Sequence, residues 1–214
     1  MNKSITIIDY GVGNLRSVAR AFEQAGVQVT VSSDIKVIKN SQRLVLPGVG
    51  AFGHCMQELE KRHLIEPLTE FANSGKPFLG ICVGMQIMLT VGEEFGEHNG
   101  LNLISGRVKA IPKFGIDGKK HILPSIGWQP LKKPDDKTDW TGTILNSTKE
   151  GSQMYFVHSF ASYPDNPQNI LAIYDYEELK IPAVITKDNI VGLQFHPEKS
   201  AADGLRIIER FLLM

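Results

Sequence analysis

Cys82 stands in Gly80-Ile81-Cys82-Val83-Gly84, after an apolar run at 78–81 and before a helix-like stretch beginning at Val83. A strand, then G-x-C-x-G, then a helix is the thiol form of a nucleophile elbow. The turn is so tight that a Cβ at either flanking glycine would meet neighbouring backbone. It lifts the sulfur above the sheet edge at the start of the following helix, where unpaired N–H groups favour the thiolate. The Val83 amide, next in the chain, is placed to donate to an oxyanion. An ordinary buried thiol is the alternative, because most free cysteines are small core residues. Cys55, in a helical stretch without such glycines, is read that way.

A nucleophile needs a base, and six histidines compete for the role. His54, His63, His98 and His121 lie in polar stretches and are expected at the surface. His158 alternates with Phe156 and Phe160 on a strand, as a core or supporting histidine would. His196 closes the strand-like IVGLQF and is followed by Pro197 and Glu198. In an extended segment residues i and i+2 point the same way, so His196 and Glu198 can address one site. A carboxylate beside an imidazole fixes its tautomer and raises its basicity, as the third member of a triad does. A solvent-facing turn is the alternative for His-Pro-Glu taken alone; the elbow cysteine makes it the weaker one.

The elements that must position these groups follow from the apolar pattern. SITIIDY is short and β-branched, as a strand buried on both faces would be. An apolar stripe at Leu15, Val18, Ala19, Phe22 and Ala25 predicts a helix, stopped at Gly26. VQVTVS and RLVLPG are the next strands. One helical stretch is expected over 54–73, then a strand at PFLGI and a further helix from VGMQIML. Strands alternating with helices argue for a mostly parallel sheet flanked by helices, an α/β fold. The second half changes character: QMYFVHSFAS, PAVITK and IVGLQF read as strands on short turns, an antiparallel extension with a hairpin tip at Asp188-Asn189. A closing helix is expected over about 201–213. KKPDDKTDW reads as a polar, solvated loop. No repeat and no linker divides the chain, so residues 1–214 are expected to form a single domain.

Composition excludes several classes. Lys and Arg number 23 and Asp and Glu 23, so the formal charge is zero, without the basic excess of a nucleic-acid binder. Two cysteines make no disulfide framework. The opening apolar run is too short for a signal peptide, and no run is long enough to cross a bilayer. The expectation is a cytoplasmic protein with reduced thiols, no nucleic-acid or membrane partner, no cofactor and no metal.

LGICVGMQ, LVLPGVGAF, YFVHSF and GLQFHPEKS together resemble a class I glutamine amidotransferase domain, in the family's order and across nearly the whole chain. Within that class, IDYGVGNLRSV and QFHPEKS are similar to the glutaminase subunits of imidazole glycerol phosphate synthases. The resemblance implies that Cys82 attacks the side-chain amide of L-glutamine, that His196 and Glu198 complete a triad, and that water then hydrolyses a γ-glutamyl thioester. It implies an oxyanion hole from the amides of Val49 and Val83, and a substrate pocket from Gly50, Gln86, Glu94, Ser159 and Phe160. It also implies a heterodimer with a (β/α)₈ cyclase or synthase subunit that consumes the ammonia, met by Asn14, Arg16 and Trp128. The alternatives at two of these positions are a solvated helix residue for Gln86 and plain helix capping for Asn14.

One segment departs from the family pattern. Where the histidine-pathway subunits carry Pro-His-Met-Gly-Trp-Asn, this chain has LPSIGWQP, with Gly127-Trp128 kept and Ser125, Ile126 and Gln129 changed. ICVGMQIM and EEFGEHNGL also resemble paralogues that supply ammonia for amidino groups on surface-polysaccharide sugars. Outside the class, the elbow alone would suit a cysteine peptidase-like hydrolase, which would cleave peptides rather than glutamine. A silent interaction subunit would not need an intact triad.

Overall fold

Three strands whose residues are all buried form the spine of the molecule: β3 (Leu44–Gly48), β4 (Phe78–Cys82) and β13 (Ile190–Leu193). Continuous burial is what a parallel strand covered on both faces requires, and their unbroken apolar sequences supply it. The computed structural model describes residues 4–115 and 118–214. In chain order the other elements are β1 (Ser4–Ile8), α1 (Leu15–Gln24), β2 (Gln28–Ser32), α2 (Ile35–Asn40), α3 (Phe52–Lys61), α4 (Ile65–Asn73), α5 (Val83–Gln86), β5 (Leu89–Gly92), β6 (His98–Asn99), β7 (Ile104–Ala110), β8 (Ser125–Pro130), β9 (Gln153–His158), β10 (Phe160–Pro164), β11 (Ile170–Tyr176), β12 (Leu179–Lys187) and α6 (Ala201–Phe211).

The main sheet has seven strands in the order β11-β12-β13-β4-β3-β1-β2. From β13 to β2 neighbouring strands are parallel, whereas β11, β12 and β13 pair antiparallel. The expected α/β sheet with an antiparallel extension is therefore present. The Asp188-Asn189 tip joins β12 to β13, with Asp188 at φ +53°. Two smaller sheets have the orders β10-β7-β5-β6 and β8-β9. Helices seal the large sheet: Phe22 of α1 meets Phe211 of α6 edge-on at 6.2 Å, and both are fully buried. Each such ring contributes about 2–3 kcal/mol by leaving water.

Several expected elements differ. The helical stretch over 54–73 is two helices, because the helix is interrupted at His63, which takes φ +56° between α3 and α4. The helix after Cys82 lasts one turn; Leu101 N–H then donates to Ile87 O and Leu103 N–H to Met88 O, drawing the chain into β5. A helix dipole of full strength is thus not available to Cys82, and the donors near it are individual amides. QMYFVHSFAS breaks at Ser159, so β9 pairs with β8 while β10 pairs with β7. His121 is buried rather than at the surface, its Nδ1 2.7 Å from Pro112 O and its ring edge-on to Tyr176. In the polar loop, Trp140 is buried and donates through Nε1 to Leu171 O at 2.8 Å. No helix among the described residues is long and apolar enough to cross a membrane.

Candidate active site

The parallel strands β3, β4 and β13 run in register and end at the same edge of the sheet, where Gly48 lies beside Cys82. Ligands of open α/β sheets bind at that carboxyl edge. Cys82 is the last residue of β4 and has φ +56°, a conformation L-residues avoid. The flanking glycines make it possible. A Cβ on Gly80 would lie 2.7 Å from Gly84 O, and one on Gly84 would lie 1.9 Å from Leu46 O. The elbow is therefore a place where three backbone segments touch, as the G-x-C-x-G spacing predicts.

His196 is placed by backbone contacts on both sides. Its N–H donates to Tyr155 O at 2.9 Å, and its carbonyl accepts from Ser200 Oγ at 2.7 Å. Ser200 Oγ in turn accepts from Tyr155 N–H at 3.0 Å, tying β9 to the start of α6. His196 Nδ1 lies 2.9 Å from Glu198 Oε1, and the Glu198 side chain is 1% exposed. The pairing expected from strand alternation is thus present, but a 3₁₀ turn at Pro197–Lys199 produces it rather than an extended chain. Burial alone would lower the His196 pKa. Hydrogen bonding to Cys82 and Glu198, with their charges, outweighs it and raises the value to about 9. The imidazolium form of His196 is therefore favoured at neutral pH, beside the Cys82 sulfur. His158, 2.8 Å from both Phe160 O and Tyr174 Oη, is held neutral instead: burial takes it down to about 4.

A cavity of about 150 Å³ opens on the sulfur, lined among others by Gly50, Val83, Gln86, Glu94, Ser159 and Phe160. Every residue expected to hold the substrate thus faces one space with Cys82. Gln86 is 3% exposed, so the solvated-helix alternative is excluded. Glu94 also caps α3, accepting the Phe52 N–H at 2.8 Å. The strand break at Ser159 is what turns backbone towards the cavity, with Phe160 O accepting from Gln86 Nε2 at 3.1 Å. Val49 is not among the lining residues; its carbonyl lies 3.5 Å from Cys55 Sγ. Asn14, Arg16 and Trp128 lie outside the cavity and are exposed. The Asn14 side chain makes no capping bond to α1, so capping does not explain it. A larger cavity of about 390 Å³ between α1 and α6 touches Glu198 but holds no nucleophile. Among the described residues no group of His, Cys, Asp and Glu is arranged to hold a metal ion.

Sequence reasoning missed Gln194 and Ser200. Gln194 is fully buried, with Nε2 3.9 Å from Cys82 Sγ. The alternation that draws attention to His196 also points two residues back to Gln194.

Residues 6–214 match the family Glutamine amidotransferase class-I, and the chain belongs to it. It is an enzyme of that class. It is 51% identical over 209 residues to imidazole glycerol phosphate synthase subunit HisH 1 of Legionella pneumophila (strain Paris), covering 98% of each chain. To subunit HisH of Geobacter sulfurreducens it is 44% identical over 211 residues, covering 97% of each. The fold is also that of PurLQS from Thermotoga maritima, with a TM-score of 0.70 at 18% identity, covering 100% of this chain and 98% of that one.

Proposed function

We propose that this chain is the glutaminase subunit of an imidazole glycerol phosphate synthase, hydrolysing L-glutamine and passing ammonia to a (β/α)₈ partner. The observation that carries the reading is the convergence at one sheet edge of Cys82, the His196–Glu198 pair and a cavity of about 150 Å³ whose lining includes Gln86 and Glu94. The free thiols of Cys55 and Cys82 suit a reducing cytoplasm.

The chemistry follows from these groups. The Cys82 sulfur, its proton held by His196, attacks the side-chain amide carbon, and the carbonyl oxygen becomes an oxyanion. The Val83 amide, with that of Val49 from the loop after β3, donates to it; one such donor is worth about 3 kcal/mol of barrier. His196 returns the proton to nitrogen, the C–N bond breaks, and ammonia leaves a γ-glutamyl thioester. Water then loses a proton to His196 and attacks that carbon, the C–S bond breaks, and glutamate departs with the thiol restored. Glu198 keeps the imidazole in the orientation each step needs.

Trp128 and Ile126, 49% and 60% exposed on β8, together with Asn14 and Arg16, are assigned to the synthase interface. The substitutions in LPSIGWQP fall on this strand and favour a second destination, ammonia for amidino-sugar formation in surface polysaccharide. Purified protein mixed with each synthase and assayed for glutamate release separates the two. Stimulation by the histidine-pathway barrel is expected, and stimulation by the amidino-sugar synthase alone would move the assignment there.

A further inference from the structure

Gln194 leads from β13 towards His196, and its backbone N–H donates to Ala183 O at 2.9 Å, so the sheet fixes its position. Its side chain lies between two parts of the site. Oε1 accepts from Gln86 Nε2 at 3.1 Å, and Nε2 is directed at Cys82 Sγ from 3.9 Å. Gln86 gives its other N–H to Phe160 O at 3.1 Å. With both N–H groups committed, the carboxamide oxygen is the polar atom Gln86 has left for a ligand in the cavity it lines.

A carboxamide suits this place for a physical reason. It is neutral, so it can lie beside a sulfur without opposing its ionisation. Once the sulfur is charged it becomes a stronger acceptor for this N–H. A carboxylate there would repel the thiolate, and an apolar side chain would leave the Gln86 N–H without its acceptor.

We infer that Gln194 is a positioning residue: one buried carboxamide sets which end of Gln86 faces the substrate and donates to the ionised sulfur of Cys82. The inference rests on the glutaminase reading above and adds a residue outside its triad, oxyanion hole and pocket.

Two variants of the full chain test it, with folding checked by circular dichroism and thermal melting. Gln194→Met removes both bonds at similar volume; Gln194→Glu keeps an acceptor for Gln86 but puts a carboxylate near the sulfur. Iodoacetamide alkylation of Cys82 is followed against pH, and KM and kcat for glutamine are measured with the synthase present. Gln194→Met should raise KM about tenfold and move the alkylation profile up by about one pH unit. Gln194→Glu should recover most of the KM while its alkylation profile stays shifted upward. If Gln194→Met does not fold, the Gln194→Glu pair of readouts decides alone. A folded variant with wild-type KM and an unmoved profile would overturn the inference. Alkylation needs no glutamine, so a wild type that never releases glutamate would overturn the glutaminase reading while the profiles still decide on Gln194.

Discussion

Cys82 and Cys55 are both buried thiols, near enough that charge on Cys82 raises the pKa of Cys55. Their surroundings are opposite. Cys55 lies inside α3, its Sγ 3.5 Å from Val49 O, and burial pushes its pKa up to about 11. It is a protonated core residue at neutral pH. Cys82 ends a strand in a positive-φ turn, opens on a cavity, and has an imidazole and a carboxamide beside it. Burial is common to both, so burial does not decide reactivity. Backbone geometry and the partners of the sulfur do.

The largest expected effect comes from exchanging the two thiols' roles by deletion. Cys82→Ala should cut glutamine hydrolysis by about four orders of magnitude or more. Cys55→Ala should retain it within a few-fold and cost about 1 kcal/mol of stability through the small void it leaves. Steady-state assays on both variants check this, and equal losses would erase the contrast. Next in size is the elbow. Gly84→Ala puts a Cβ against Leu46 O, from which an unshifted backbone would hold it 1.9 Å away. It should cost about 3 kcal/mol or more in chemical denaturation, and a near-neutral variant would show the close approach to be unnecessary.

A third effect separates His158 from His196. His158 titrates from 6.5 in the unfolded chain to about 4 in the folded protein, so between those values the unfolded state binds more protons. Stability therefore falls as pH drops through this window, by roughly 3 kcal/mol at its foot. His196 works the other way: its raised value stabilises the fold fully below 6.5, and that contribution is lost as pH climbs through about 9. Urea unfolding of His158→Gln at a series of pH values should show a flatter acid slope than wild type. An unchanged slope would assign the acid loss elsewhere. The smallest effect is at the exposed strip. Trp128→Ala should change stability by no more than about 0.5 kcal/mol and leave hydrolysis by the isolated chain alone, while weakening stimulation by the synthase.

The elbow was legible because its requirement is written in residue types: glycine is the side chain that tolerates backbone at such distances, and the spacing around Cys82 records it. The buried strands were legible for the same reason, since LVLPG and FLGIC have no polar face to turn outward. What escaped was set by distant partners. The helix break at His63 has no glycine or proline to announce it. The single turn of α5 is not continued because the next carbonyls, of Ile87 and Met88, accept from backbone at Leu101 and Leu103, and apolar periodicity continues past that point. His121 looked like a surface group because its neighbours in sequence are polar, whereas its neighbours in space are Pro112 and Tyr176. Gln194 was missed because glutamine carries no charge or nucleophile to draw notice, and its importance lies in the two side chains it joins.

The contrast between the thiols is tested most directly with a diazoketone analogue of glutamine that alkylates the nucleophile it binds beside. After incubation and proteolysis, mass spectrometry should place the adduct on Cys82, leave Cys55 unmodified, and show protection by excess glutamine. An adduct on Cys55, or an unmodified Cys82 in protein that is turning over glutamine, would contradict the assignment of Cys82 as the nucleophile.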